Sequence, residues 1–159
     1  MRYTPRLAGT GAAALIGAER IMLNSSADYA LRAVLYMARQ APDRSCSAGA
    51  IAAALGVPRN YIGKVLNTLA HAGVLTSVRG PRGGFRLARP PSRLSLREVV
   101  EPFQQQLTDR RVCLLGDRPC DARQPCDVHI RWQSMTGPVN EFFHETTIAL
   151  LLQPWKESA

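Results

Sequence analysis

Residues 48–73, AGAIAAALGVPRNYIGKVLNTLAHAG, hold two helix-length segments joined only by Gly56, Val57 and Pro58. A glycine ends a helix in the left-handed conformation without a steric cost, and a proline suits a helix start, where its missing N–H is not needed. So tight a reversal brings the two helices into close contact, and Ala52 is small enough to permit it. Ile51, Leu55, Val57, Ile62 and Val65 are spaced to fill the shared core, and Gly73 is the expected stop of the second helix. The pattern is a helix-turn-helix, although any compact helical hairpin satisfies the same spacing. The next segment narrows the choice. VLTSVRG reads as a strand, PRGG as a tight turn and FRLAR as a returning strand, so a basic β-hairpin directly succeeds the second helix. The expected fold is mainly α, a winged helix-turn-helix with a two-stranded wing.

Charge agrees with that reading. The chain of 159 residues carries a formal +8, which favours a polyanionic partner. Between Asp43 and Glu98 there is no acidic residue, but there are nine Arg or Lys. Arg59, Asn60 and Tyr61 open the second helix and Lys64 lies one turn later, where side chains of a recognition helix reach base edges in double-stranded DNA. Arg79, Arg82 and Arg86 belong to the wing and are expected on phosphate or in the minor groove. A solvated basic face is the plainer alternative.

On either side lie further helices. Ser25 or Ser26 can cap a helix through ADYALRAVLYMARQ, with Ala30, Leu31, Val34, Leu35 and Ala38 on its core side; Ser95 can start another in SLREVVEPF. A long C-terminal helix is expected from Asp127 to about Glu145. Its residues Val128, Trp132, Met135, Val139 and Phe142 recur at steps of 4, 3, 4 and 3, a coiled-coil-like seam suited to dimerisation or to packing on its own domain. Pro138 is expected to kink it, and Thr147 to cap a last piece, IALLL. The organisation expected is a flexible extension over 1–21 with Met22 a candidate start, a DNA-binding domain over 22–103, a cysteine-bearing loop over 104–128, a dimerisation helix region over 129–152 and a tail over 153–159. No stretch approaches the ~20 apolar residues of a membrane span.

VCLLGDRPCDARQPCDVHIRW, residues 112–132, packs three of the four cysteines into fourteen positions. Three thiols cannot all pair, and such crowding suits a metal and a reducing cytoplasm. The spacing C-x6-C-x5-C-x2-H, over Cys113, Cys120, Cys126 and His129, lacks the short C-x2-C knuckles usual for structural zinc. It suits the wider embrace of an iron–sulfur cluster, either 2Fe-2S or 4Fe-4S. Pro119 and Pro125 stiffen the approach to two of the cysteines, and Arg110, Arg111, Arg118 and Arg123 can offset thiolate charge. Zinc and metal-free redox thiols stay open as alternatives. His129, three residues beyond Cys126, can share its face of the helix start as a fourth ligand. Cys46 stands apart and reads as a small buried residue. A thiol enzyme would need a nucleophile–base pair and an oxyanion hole, and nothing in the sequence organises one.

With these motifs in place, the chain from Met22 to about Leu152 strongly resembles the IscR/NsrR/RirA (Rrf-two) family of winged-helix transcription regulators. The resemblance rests on DYALRAVLYMA, on GVPRNYIGKVLNTLAHAGVLTSVRGPRGGFRLARPP, on SLREVVE and on the three cysteines. It implies a homodimer on a palindromic operator, usually acting as a repressor, with the long helix crossing over the partner. It also implies a cluster held by Cys113, Cys120 and Cys126 that senses nitric oxide, redox state or cluster supply. In nitric-oxide-sensing members an aspartate at the position of Asp28 reaches the cluster from the partner; in supply-sensing members a histidine at the position of His129 does so. This sequence has both, and SADYALRAVLYMA looks more like the nitric-oxide-sensing branch, which favours Asp28. The first cysteine gap is one residue longer than in several members, which bears on how the cluster is seated.

Overall fold

The structure, a computed structural model, describes residues 22–40, 44–80, 83–105, 113–115 and 121–154. The expected extension over 1–21, Arg82, Cys120 and residues 155–159 lie outside the described residues. Helix α1 spans Ser25–Ala38, α2 Ala48–Leu55 and α3 Arg59–His71; strands β1 (Leu75–Val78) and β2 (Gly84–Leu87) form the wing. A single 3-10 turn over Pro91–Arg93 leads to α4 (Leu96–Val100), and α5 (His129–Glu145) and α6 (Ile148–Leu152) complete the order.

Local chemistry sets most boundaries. The Ser47 hydroxyl caps α2 by accepting from the Ala50 amide at 3.1 Å. Gly56 ends α2 at φ 66°, where a side chain would be strained. Pro58 sits one residue ahead of α3, and its carbonyl accepts from the amides of Tyr61 and Ile62, both at 3.1 Å. At α4, Ser95 and Glu98 form a reciprocal capping box. The cap of α1 differs from expectation. It is Asn24, whose side chain accepts from the Ala27 amide at 2.9 Å, while Ser25 lies within the helix and Ser26 bonds elsewhere. An Asn is as good a cap as a Ser, and Asn24 is also held from residues 103–104, a long-range tie that local sequence does not reveal.

The wing pairs antiparallel with Leu75 opposite Leu87 and Val78 opposite Gly84. The segment before α2 adds a one-residue rung, since the amides and carbonyls of Cys46 and Phe85 exchange bonds of 2.8 and 2.9 Å. The backbones approach so closely that a Cβ on Gly84 would lie 2.4 Å from the Cys46 carbonyl oxygen, so only glycine fits. Cys46 itself is buried, as expected of it.

One apolar cluster joins α1, α2, α3 and the wing through Val34, Ile51, Ile62, Leu66, Leu69 and Val74. Ile148 of α6 is fully buried in that same cluster, and backbone bonds Leu96 N–H to Thr146 O and Ile148 N–H to Leu94 O, both 2.8 Å, fasten it. The end of the described chain therefore completes the core of the winged unit. A second, smaller cluster of Ala27, Leu96, Val100 and Phe143 seats α5 against α1 and α4. No helix among the described residues is long and apolar enough to cross a membrane.

Candidate functional site: a basic reading face and a cysteine pair

Helix α3 is amphipathic. Ile62, Val65, Leu66 and Leu69 face the core, which leaves Arg59, Asn60 and Lys64 exposed at its N-terminal end. Tyr61, expected among the base readers, also makes contacts inside the fold. Its hydroxyl lies 3.0 Å from Ser26 Oγ and its ring meets Tyr29 edge-on at 5.6 Å, so it joins α3 to α1. Arg79 and Arg86 are exposed on the wing. Arg44, which lies in the basic run but which no motif singles out, joins Arg86 and Arg89 around a cavity of about 480 Å³ between the end of α1, the wing and residues 88–91. Only its place in the fold brings it beside the wing. Arg89 is committed to Glu98 at 2.6 Å. Burial pushes the Glu98 carboxyl up, but the Ser95 amide, the Arg89 guanidinium and the Ser95 hydroxyl together hold it below the ordinary carboxylate value.

Of the three expected ligand thiols, the described residues include Cys113 and Cys126. The fold brings these two together across thirteen positions, with Sγ atoms 3.7 Å apart and Cys113 buried. A disulfide would need about 2.05 Å. Two thiolates on one tetrahedral metal atom, at metal–sulfur bonds near 2.3 Å, lie about 3.8 Å apart, so the pair fits a shared metal centre. Among the described residues no three His, Cys, Asp or Glu side chains converge into a complete site. His129 begins α5, and its amide donates to the Cys126 carbonyl at 3.0 Å, which keeps the two residues within one turn. Asp28 lies in the first turn of α1 and accepts from Arg32 Nε at 2.9 Å. Cys46 belongs to the wing junction instead; burial raises its thiol pKa, opposed in part by Arg44, which makes it a poor thiolate.

Helix α5 divides the expected seam. Val139 packs on the cluster of Leu96 and Val100, beside Phe143, a buried residue that the 4-3 spacing passes over. The sequence does carry a signal for Phe143, because it lies four residues beyond Val139 and prolongs that inner stripe. Val128 and Trp132 are half-buried, whereas Met135 and Phe142 are 61% and 54% exposed, and Ile130, outside the expected seam, is 80% exposed.

Two short helices around a left-handed glycine, a basic exposed recognition face and a two-stranded wing define a winged helix-turn-helix DNA-binding protein. The chain belongs to the Rrf2 family, whose model, described as an iron-dependent transcriptional regulator, matches residues 23–154. It is a transcription regulator and not an enzyme. A relative from Aquifex aeolicus (strain VF5), bearing the name of an HTH-type transcriptional regulator, is 34% identical over 134 residues, covering 83% of this chain and 92% of that one. Among solved structures, CymR, the global cysteine regulator of B. subtilis, is similar at TM-score 0.68 and 20% identity, over 83% of this chain and 96% of its own. IscR of T. potens is similar at TM-score 0.65 and 22% identity, over 86% and 89%. Likenesses at these identities establish the fold.

Proposed function

We propose that this regulator is a homodimeric repressor of a palindromic operator, and that an iron–sulfur cluster held by Cys113, Cys120 and Cys126 sets its operator affinity. The observation that carries the reading is the Cys113–Cys126 pair, 3.7 Å apart, on a chain that also carries a helix-turn-helix and a two-stranded wing. Crowded thiolates repel one another, and a bound cation relieves that repulsion where burial would worsen it. When bound, the cluster supplies a centre that nitric oxide, oxidants or iron shortage can alter.

The chain's own residues do the rest. Arg59, Asn60 and Lys64 reach base edges in the major groove, and Arg79, Arg82 and Arg86 hold phosphate or the minor groove. Tyr61 fixes the helix that carries the readers. Ile130, Met135 and Phe142 of α5 meet the same face of a second copy. Asp28 of the partner chain is the fourth ligand favoured by the family resemblance, with His129 the alternative. Asp28→Ala is expected to change the visible spectrum and its response to nitric oxide, and His129→Ala to change little; the reverse result assigns the ligand to His129.

A metal-free dithiol switch is the second reading, favoured by the same short sulfur–sulfur distance. Operator binding by anaerobically prepared protein, before and after chelation of iron, separates the two. The cluster reading expects a change of at least about fivefold on iron removal, the lower end of ordinary allosteric coupling. Affinity that ignores iron but responds to a thiol oxidant supports the dithiol switch.

A further inference from the structure

The first turn of α1 is gripped from two sides. From one side, Gln104 spends both ends of its carboxamide on it: Oε1 accepts from the Asn24 amide at 2.6 Å, and Nε2 donates to the Met22 carbonyl at 2.7 Å. Asn24 replies through Nδ2, which donates to the Phe103 carbonyl at 2.8 Å. From the other side, Tyr61 of the recognition helix holds Ser26 by its hydroxyl at 3.0 Å and Tyr29 by its ring at 5.6 Å. Asn24, Ser26 and Tyr29 lie within six consecutive residues, about a turn and a half from the N-cap into α1, so one short rigid stretch carries both sets of contacts. Asp28 lies in that same stretch.

We infer that Gln104 and Tyr61 are positioning residues, coupling the segment that leads into the cysteines to the recognition helix through the first turn of α1. Residues 103 and 104 stand nine to ten positions before Cys113 in the chain, and Phe103 packs against both apolar clusters. A shift there must repack Phe103 and pull on Asn24. Packed cores respond to such a pull by moving between discrete arrangements, not by stretching. A displaced α1 turn then carries Ser26 and Tyr29 away from Tyr61, and Tyr61 begins the turn between Asn60 and Lys64. Local capping of α1 accounts for the Asn24 bond to Ala27, but it requires neither the Gln104 clasp nor the Tyr61 contact.

The functional sense of this coupling rests on the reading under Proposed function, but its existence can be measured without a cluster. Hydrogen exchange on the cluster-free, full-length protein tests it with Gln104→Ala, Tyr61→Phe and the double variant. Gln104→Ala, which removes side-chain bonds to Met22 and Asn24 outside α3, is expected to speed exchange several-fold over residues 61–66 and to leave α2 as it was. Tyr61→Phe is expected to do the same, and the double variant to add nothing further. Unchanged α3 exchange in Gln104→Ala overturns the inference, and so does equal acceleration in α2, which signals lost stability alone. A second arm compares operator affinity with and without the cluster. Gln104→Ala is expected to bring a ratio of about fivefold or more close to one, and an unaltered ratio counts against the coupling. If the unsubstituted protein already shows a ratio near one while α3 exchange responds to Gln104, the cluster reading fails and the coupling stands.

Discussion

The winged unit and the cysteine-plus-α5 region are made by one chain yet finish their structures differently. The winged unit closes on itself: Val34, Ile51, Ile62, Leu66 and Leu69 are fully buried, and α6 returns to supply Ile148. The other region buries Phe143 inward but leaves Ile130, Met135 and Phe142 in solvent, and it draws together a buried and a half-buried thiol outside both apolar clusters. A region that leaves several large apolar side chains in solvent is suited to something added. Here the additions proposed are a second copy and a metal cluster. The exposed basic face belongs to the winged unit, and the proposed control elements to the cysteine and α5 region.

The largest effect expected from this contrast comes from the core. Leu66→Ala removes a fully buried side chain and should cost about 2–5 kcal/mol of unfolding free energy, read by denaturant titration. The paired change Met135→Asp with Phe142→Asp should leave the unfolding of each chain within roughly 0.5 kcal/mol, because both side chains are exposed, yet convert dimer to monomer in sedimentation. A dimer that survives the pair, or a chain that it unfolds, breaks the comparison.

Next come changes within the reading face. Asn60→Ala should alter preference among operator bases, where a lost base contact costs about 1–3 kcal/mol. Arg86→Ala should weaken all sequences alike and reduce the salt slope by about one. Uniform loss in both would merge roles that the exposed α3 start and the wing keep apart.

The smallest effect is electrostatic and lies at the joint of the two regions. Glu98 has a depressed pKa in the folded state, so its contribution is present above the ordinary glutamate value of about 4.3 and is lost as pH falls through the lower folded value. Glu98→Gln keeps a capping box but loses the Arg89 ion pair. It should flatten the acid limb of the stability curve slightly, because the pair is partly exposed and worth little. A steeper acid limb in the variant would contradict that assignment.

Legibility in the sequence divides along the same line. Gly56, Ser95 and the PRGG segment announce the winged unit because helix ends and hairpins are decided by local chemistry. The cap at Asn24 escapes local reading because its added support comes from residues 103 and 104, some eighty positions away. Tyr61 reads as a DNA contact because sequence places it on the recognition helix but cannot tell that its hydroxyl meets Ser26. The α5 seam rests on a period that suits a partner helix and a home core equally, and the structure divides it, with Val139 inward and Met135 and Phe142 outward. Crowding alone predicts that Cys113 and Cys126 meet, though their distance depends on how the chain folds between them.

Iron and sulfide content, taken with the visible spectrum of strictly anaerobic protein, tests the central claim most directly. The unsubstituted chain and Cys46→Ala should both be coloured and carry iron with acid-labile sulfide, whereas Cys113→Ala and Cys126→Ala should be colourless and lack both. A colourless, zinc-loaded protein, or one whose colour survives loss of Cys113 and of Cys126, would contradict it.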